Sequence, residues 1–214
     1  MERLMTGHRI IKNLTKRGNS ILGVGCYSAA LSASNGIDAI KVGTNINDPW
    51  LDFKSLVVEK FRYNKHLPLI KSFYYDINSE YYVCVMERLD QIKASTNADS
   101  LIESCKEYVQ GYYTDTEFED ILSDYTRFVP EPKELIAVLK TIKEHTTCSK
   151  FGALNNKHYN DDDLDGRQLD MHRGNFMLRD GVLVIIDPWC NVCMDDVEDL
   201  SLWAEDEVGY SSYA

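Results

Sequence analysis

The chain has 214 residues, 44% of them hydrophobic and 27% charged, with a formal net charge of −11. That length accommodates one domain or two small lobes with a hydrophobic core, and the composition is ordinary for a soluble globular protein. The acidic balance argues against coating nucleic acid or binding anionic membrane, whose phosphates repel such a surface, and no apolar run reaches the roughly 18 residues of a spanning helix.

The first segment, MERLMTGHRIIKNLTKRG, is basic but lacks an apolar core of signal-peptide length, so nothing in it marks export. Cysteines at 26, 84, 105, 148, 190 and 193 are then expected as reduced thiols in a cytoplasmic protein. Residues 20–44 carry small and β-branched residues around Asn35-Gly36 and predict a β-hairpin. In 49–65, Trp50, Phe53, Leu56, Val57 and Phe61 fall at near-helical spacing behind Pro49, which suits a first turn. Strands follow at 69–75 and 81–86, with Asn78-Ser79 between them.

After Leu89 the texture changes. Segments 98–113 and 116–128 read as helices, and 134–145 does so more clearly, with Leu135, Val138, Leu139 and Ile142 on one face. A polar stretch, 155–166, leads into LDMHRGNFMLRDGVLVIIDPW (169–189) and then an acidic tail. A β-rich half followed by a helical half predicts two lobes, 1–89 and 90–214, joined near 87–91.

Three stretches carry chemistry. Gly23-x-Gly25 would let backbone N–H groups approach an anion without Cβ interference, although a GxG turn is commonly only a flexible turn. It is neither a Walker loop nor a dinucleotide fingerprint, because no Gly-Lys-Ser/Thr and no helix follows. Lys41, in Ala39-Ile40-Lys41-Val42, points opposite to its apolar neighbours; if the glycine turn lies above the same cleft, it meets phosphate oxygens. Glu59, or alternatively Asp52, would then fix its ammonium. In 169–189, Asn175 and Asp187 offer the hard oxygens Mg²⁺ prefers, and a separate Asp170 could orient or deprotonate a hydroxyl. The hairpin FML-RDG-VLVIID returns residue 187 to residue 175.

Gly23-x-Gly25, Ala39-Ile40-Lys41, Met86-Glu87, Asp170-x-His172-x-x-Asn175 and Ile186-Asp187-Pro188 stand in the order and near the spacing of the protein-kinase-like fold. In wording, the chain from about 18 to 190 resembles the early serine/threonine protein kinases of autographivirus-type bacteriophages. The resemblance implies an α+β, two-lobed fold with a β-rich N-lobe, a reduced, mainly helical C-lobe and Mg-ATP held between them. It implies that Gly23, Gly25 and Ser28 cover the ATP phosphates, and that Lys41 pairs them with Glu59 as partner. Ala39 falls on the nucleotide side of the same strand. Met86 takes the gatekeeper position, and Glu87 to Leu89 offer backbone groups to adenine. Asp170 becomes the catalytic base, and Asn175 and Asp187 the Mg²⁺ ligands. The implied acceptors are serine or threonine hydroxyls of host proteins in transcription and RNA processing, such as RNA polymerase and ribonucleases, with autophosphorylation. The implied place is the cytoplasm of the infected bacterial host; no direct nucleic-acid or membrane contact is implied, and the oligomeric state is left open.

The departures are specific. Gln168-Leu169-Asp170 replaces His-Arg-Asp, so no arginine precedes the base; Asp187-Pro188-Trp189 lacks the regulatory phenylalanine; His172 stands where lysine is frequent. Only 27 residues follow Asp187, without an Ala-Pro-Glu segment, so the usual peptide-docking helices are expected to be missing or replaced. Two alternatives therefore stand beside the protein kinase: a small-molecule phosphotransferase of the DxHxxN type, and a non-catalytic kinase-like binder of a host protein. Residues 161–166 imitate a calcium loop, but its twelfth position is His172 rather than a bidentate glutamate. Cys190-x-x-Cys193, with His145 and Cys148, makes only a weak zinc pattern. In the tail, Leu200 and Trp203 suggest a short helix, and Ser211 and Ser212 are modifiable in principle.

Overall fold

The computed structural model describes residues 4–44, 48–76, 78, 80–93, 96–146 and 167–191. Contacts divide the described chain into two compact units, one of residues 4–48 and 69–88, the other of 49–68 and 89–191. The class is α+β, β-rich in the first unit and mainly helical in the second, as the kinase-like resemblance implies. The calcium-loop imitation, Cys148, Cys193, Ser79 and the tail lie outside the described residues. Among the described residues no helix is long and apolar enough to cross a membrane.

In the first unit, helix α1 (Leu4–Lys16) packs on an antiparallel sheet of β1 (Ile21–Val24), β2 (Ser28–Ser32), β3 (Asp38–Gly43), β4 (Ile70–Asp76) and β5 (Tyr81–Glu87). The sheet order is β1-β2-β3-β5-β4. Strand β2 alternates, burying Ala29 and Leu31, and these join Val42 and Ile11 of α1 in a core flanked by Ile10, Leu14 and Ile40. The helix approaches closely because position 7 has no side chain: a Cβ there would lie 2.6 Å from Thr44 Cγ2. Asn35 builds the β2–β3 turn, its Oδ1 accepting from the Ile37 and Asp38 N–H groups while Gly36 takes a φ of 73°.

The second unit contains α2 (Pro49–Phe53), continued by a widened π turn at Lys54–Val58. Short β6 (Asp90–Gln91) leads to α3 (Thr96–Gln110), α4 (Asp115–Leu122) and α5 (Pro132–His145). Strands β7 (Arg167–Leu169), β8 (Phe176–Arg179), β9 (Val182–Ile185) and β10 (Trp189–Asn191) complete it. Leu135, Val138, Leu139 and Ile142 of α5 are fully buried, each contributing about 1.5–3 kcal/mol of burial. Helix α4 opens with a reciprocal cap between Thr114 and Glu117, and Tyr108 stacks on Phe118 at 4.4 Å. Pro132 stands in the first turn of α5.

Three differences from the sequence reading have physical causes. The basic first segment is helix α1, whose stripe of Ile10, Ile11 and Leu14 needs the sheet to cover it. The expected 20–44 hairpin has a further strand, β1, because the turn at 25–28 makes a second reversal, closed by Gly25 N–H donating to Ser28 O at 2.9 Å. The expected helix over 49–65 stays α-helical only to Phe53. It groups with the second unit, where Phe53 packs edge-on to Trp189 and Arg167 donates to Asp52 at 2.8 Å.

Candidate active site

Strand pairing in the second unit sets the site. β7 and β10 run antiparallel with Leu169 opposite Trp189, so the next rung places Asp170 opposite Pro188. The Asp170 N–H donates to the Pro188 carbonyl at 2.8 Å, which brings Asp187 next to that rung. From Asp170 the chain makes one 3₁₀ turn, Arg173–Asn175, capped by His172 Nδ1 accepting from Gly174 N–H at 3.1 Å. Strands β8 and β9 then form a two-residue hairpin in which Asp180 and Gly181 take φ of 51° and 88°, the I′ geometry that Asp-Gly favours. The returning strand closes the ring: Ile186 N–H donates to Asn175 O at 3.0 Å. Asp170, Asn175 and Asp187 are thus gathered within one unit by backbone bonds.

Side chains refine the arrangement. Asn175 Nδ2 donates to the Asp170 carbonyl at 2.6 Å and to its Oδ2 at 3.1 Å, which turns Asn175 Oδ1 away as an acceptor. The Asp170 side chain is 39% exposed, open enough to meet a hydroxyl. Because His172 Nδ1 accepts from Gly174, the neutral ring carries its proton on Nε2, which faces Asp170 Oδ2 at 3.6 Å. The 3.1 Å approach of Asn175 Nδ2 to that nitrogen is then a contact between two donors rather than a bond.

Behind this turn the supports are dense. Trp189 is 2% exposed, donates its indole N–H to Thr146 Oγ1 at 3.0 Å and lies under the Arg167 guanidinium at 5.4 Å. Arg179 donates to the carbonyls of Lys65 and Leu67 at 2.9 and 2.7 Å. His66, with no exposed surface, has its Nδ1 2.7 Å from Leu183 O.

The first unit holds the remaining candidates. Gly23 and Gly25 flank the end of β1, and Ser28 begins β2 opposite Gly43. Lys41 lies on the third strand between Ala30 of β2 and Cys84 of β5, two residues beyond Ala39, which faces Met86. Glu87 ends β5, its Oε1 accepting from Leu69 N–H at 2.6 Å; half-buried Leu89 belongs to the second unit. In the second unit, the two carboxylates weighed as partners for Lys41 hold other cations: Glu59 pairs with Lys54 at 2.6 Å and Asp52 with Arg167 at 2.8 Å.

The sequence reading did not single out His66, Arg167 or Arg179. Each acts through bonds to carbonyls or carboxylates far away in the chain, and a lone residue in KHLPL or FMLRD carries no local signal of that. As a metal donor set, Asn175 and Asp187 offer only oxygen, which fits Mg²⁺, an ion that takes one or two protein ligands and keeps its waters.

No family model and no curated protein matches the chain. Among solved structures, the chain is similar to the streptomycin–ATP–APH(2")-IIa ternary complex, at 15% identity over 86% of this chain and 72% of that one, with a TM-score of 0.37.

Proposed function

We propose that the protein is an ATP- and Mg²⁺-dependent phosphotransferase whose acceptor is a serine or threonine hydroxyl of a host protein. One observation carries the reading: Asp170, Asn175 and the strand end bearing Asp187 are locked together by the Asp170–Pro188 and Ile186–Asn175 backbone bonds. Placement supports the rest. Lys41 occupies the third strand, the context in which an Ala-Ile-Lys motif pairs nucleotide phosphates, and Asp170 and Asn175 keep the base-to-ligand spacing of a kinase catalytic loop. In this reading Gly23, Gly25, Ser28 and Lys41 meet the phosphates, while Met86 to Leu89 face adenine. Asn175 and Asp187 would hold Mg²⁺, which when bound neutralises phosphate charge. Asp170 receives the acceptor hydroxyl's proton on Oδ1 or Oδ2, with Asn175 Nδ2 restraining its rotation.

A second acceptor class is favoured by the wording of the motif. His172 is tied into the catalytic turn through Gly174 in place of a lysine, and this DxHxxN form favours a small-molecule acceptor. The test is incubation of purified protein and host lysate with γ-labelled ATP, beside Asp187→Ala. Label on serine or threonine of proteins, abolished in the variant, is expected. Label confined to a metabolite moves the acceptor to the second class, and equal labelling by both proteins refutes the assigned site.

A further inference from the structure

We infer that His66 is a positioning residue for Asp187, acting as a stand-in for a neighbouring strand along the open edge of β9; for its catalytic consequence the inference rests on the phosphotransfer reading above. In the three-stranded sheet β6-β8-β9, β9 is an edge strand. Three of its outward backbone groups are nevertheless satisfied. Leu183 N–H donates to Phe128 O at 2.9 Å, and Ile185 N–H donates to His66 O at 2.9 Å. The third, Leu183 O, lies 2.7 Å from His66 Nδ1. A carbonyl can only accept, so Nδ1 bears the proton and Nε2 is the bare nitrogen of a neutral ring. Around the same loop, His66 N–H donates to Asn64 Oδ1 at 2.8 Å, and Arg179 reaches across from β8 to the Lys65 and Leu67 carbonyls. Both strands of the hairpin are therefore fastened to residues 64–67, and one residue past Ile185 comes the Ile186–Asn175 bond that sets Asp187.

The tie depends on the ring's charge state. Nε2 is buried and has no hydrogen-bond partner among the described residues, so a second proton there would place a charge where no acceptor waits. Arg179 of β8 and Lys65 of the same loop repel that charge, while Glu131 ahead of α5 attracts it; Glu134 of α5 is engaged by the Lys65 N–H. Burial is the largest effect and holds the imidazole below its ordinary value, with the Leu183 carbonyl acting the other way. Acid should therefore loosen β9 at its Asp187 end.

Two variants separate the roles. His66→Asn keeps a donor close to the Nδ1 position but does not titrate, and His66→Gln removes the donor from that position. Amide hydrogen exchange at Ile185 and Ile186, corrected for intrinsic rates, should show wild-type protection falling roughly tenfold as pH drops from about 7 to about 5. The Mg²⁺ concentration needed for half-maximal ATP turnover should rise over the same window, by roughly tenfold. His66→Asn should flatten both profiles, and His66→Gln should show low protection at every pH while Leu139 in α5 stays protected. Equal protection in wild type and both variants, or an acid response retained by His66→Asn, overturns the inference. So does an exchange response without any change in Mg²⁺ requirement. If His66→Gln does not fold, the His66→Asn profile alone decides. If the wild type turns over no ATP, the exchange data still decide the tie, and only the phosphotransfer reading falls.

Discussion

A methyl group added at Gly23 would meet no atom within 4 Å, and the residue does not sit in the left-handed region. Neither packing nor backbone conformation asks for glycine there. Gly43, two strands away, is the opposite case: a Cβ would fall 1.9 Å from the Tyr82 ring, whose hydroxyl donates to Asp48 at 2.5 Å. Gly43 serves the fold, whereas the fold makes no such demand at Gly23. Gly23→Ala should therefore leave the melting temperature unchanged or raise it, since glycine within a strand costs about 0.5–1 kcal/mol. On the phosphotransfer reading it should weaken ATP binding by roughly tenfold, as a Cβ intrudes on the phosphates. Calorimetric melting beside an ATP titration checks both halves; a stability loss with unchanged affinity would return Gly23 to the fold.

At the scale of elements, the β8–β9 hairpin is the part that sequence described best. Asp180-Gly181 between apolar runs names its turn, and the turn fixes the register that brings residue 186 back to residue 175. Helix α1 was illegible because its apolar stripe is short and its charges dominate the composition; only the sheet beneath explains it. The π turn at 54–58 was hidden as well, since the spacing of Trp50, Phe53 and Val57 suits either kind of turn. Glu59 could be proposed as a partner for Lys41 from chain order alone, but its bond to Lys54 depends on that widened turn. The hairpin's outer supports lie over a hundred residues away in sequence, and no local pattern announces them. Arg179→Met keeps the aliphatic stem and leaves the Lys65 and Leu67 carbonyls without this donor. Unfolding of the second unit should become easier by about 1–3 kcal/mol, read from denaturant midpoints at constant m-value.

Over the whole molecule, acid should act in two steps of the same sign. His66, held below its ordinary value, contributes stability that is present above about pH 6.5 and is lost as pH falls toward its folded-state value. Asp38, Asp115 and Glu131 are held below the usual carboxylate range, chiefly by Lys71, Lys140 and Lys65, and Glu117 by the Thr114 backbone N–H. Their contributions are present above about pH 4 and are lost below it. Glu134, pushed up by burial and by Glu131, works in reverse: its contribution is present in acid and is lost as pH rises. Thermal melts from about pH 8 to about pH 3 should show a first decline below about 6.5 that His66→Asn removes and a second that it leaves intact. A single decline near pH 4 in both proteins would refute the first step.

The turn at Arg173–Asn175 also has a bearing on how the chain reaches its folded form. Asn175 and Asp170 are five residues apart, so closing that bond restricts little chain and costs little loop entropy. The ties that hold the turn still, His66 to Leu183 and Arg179 to Lys65, close separations of 117 and 114 residues. The outline of the site can therefore arise in a brief local event. Its permanence must wait until distant parts of the chain have found each other, making rigidity a late product of folding.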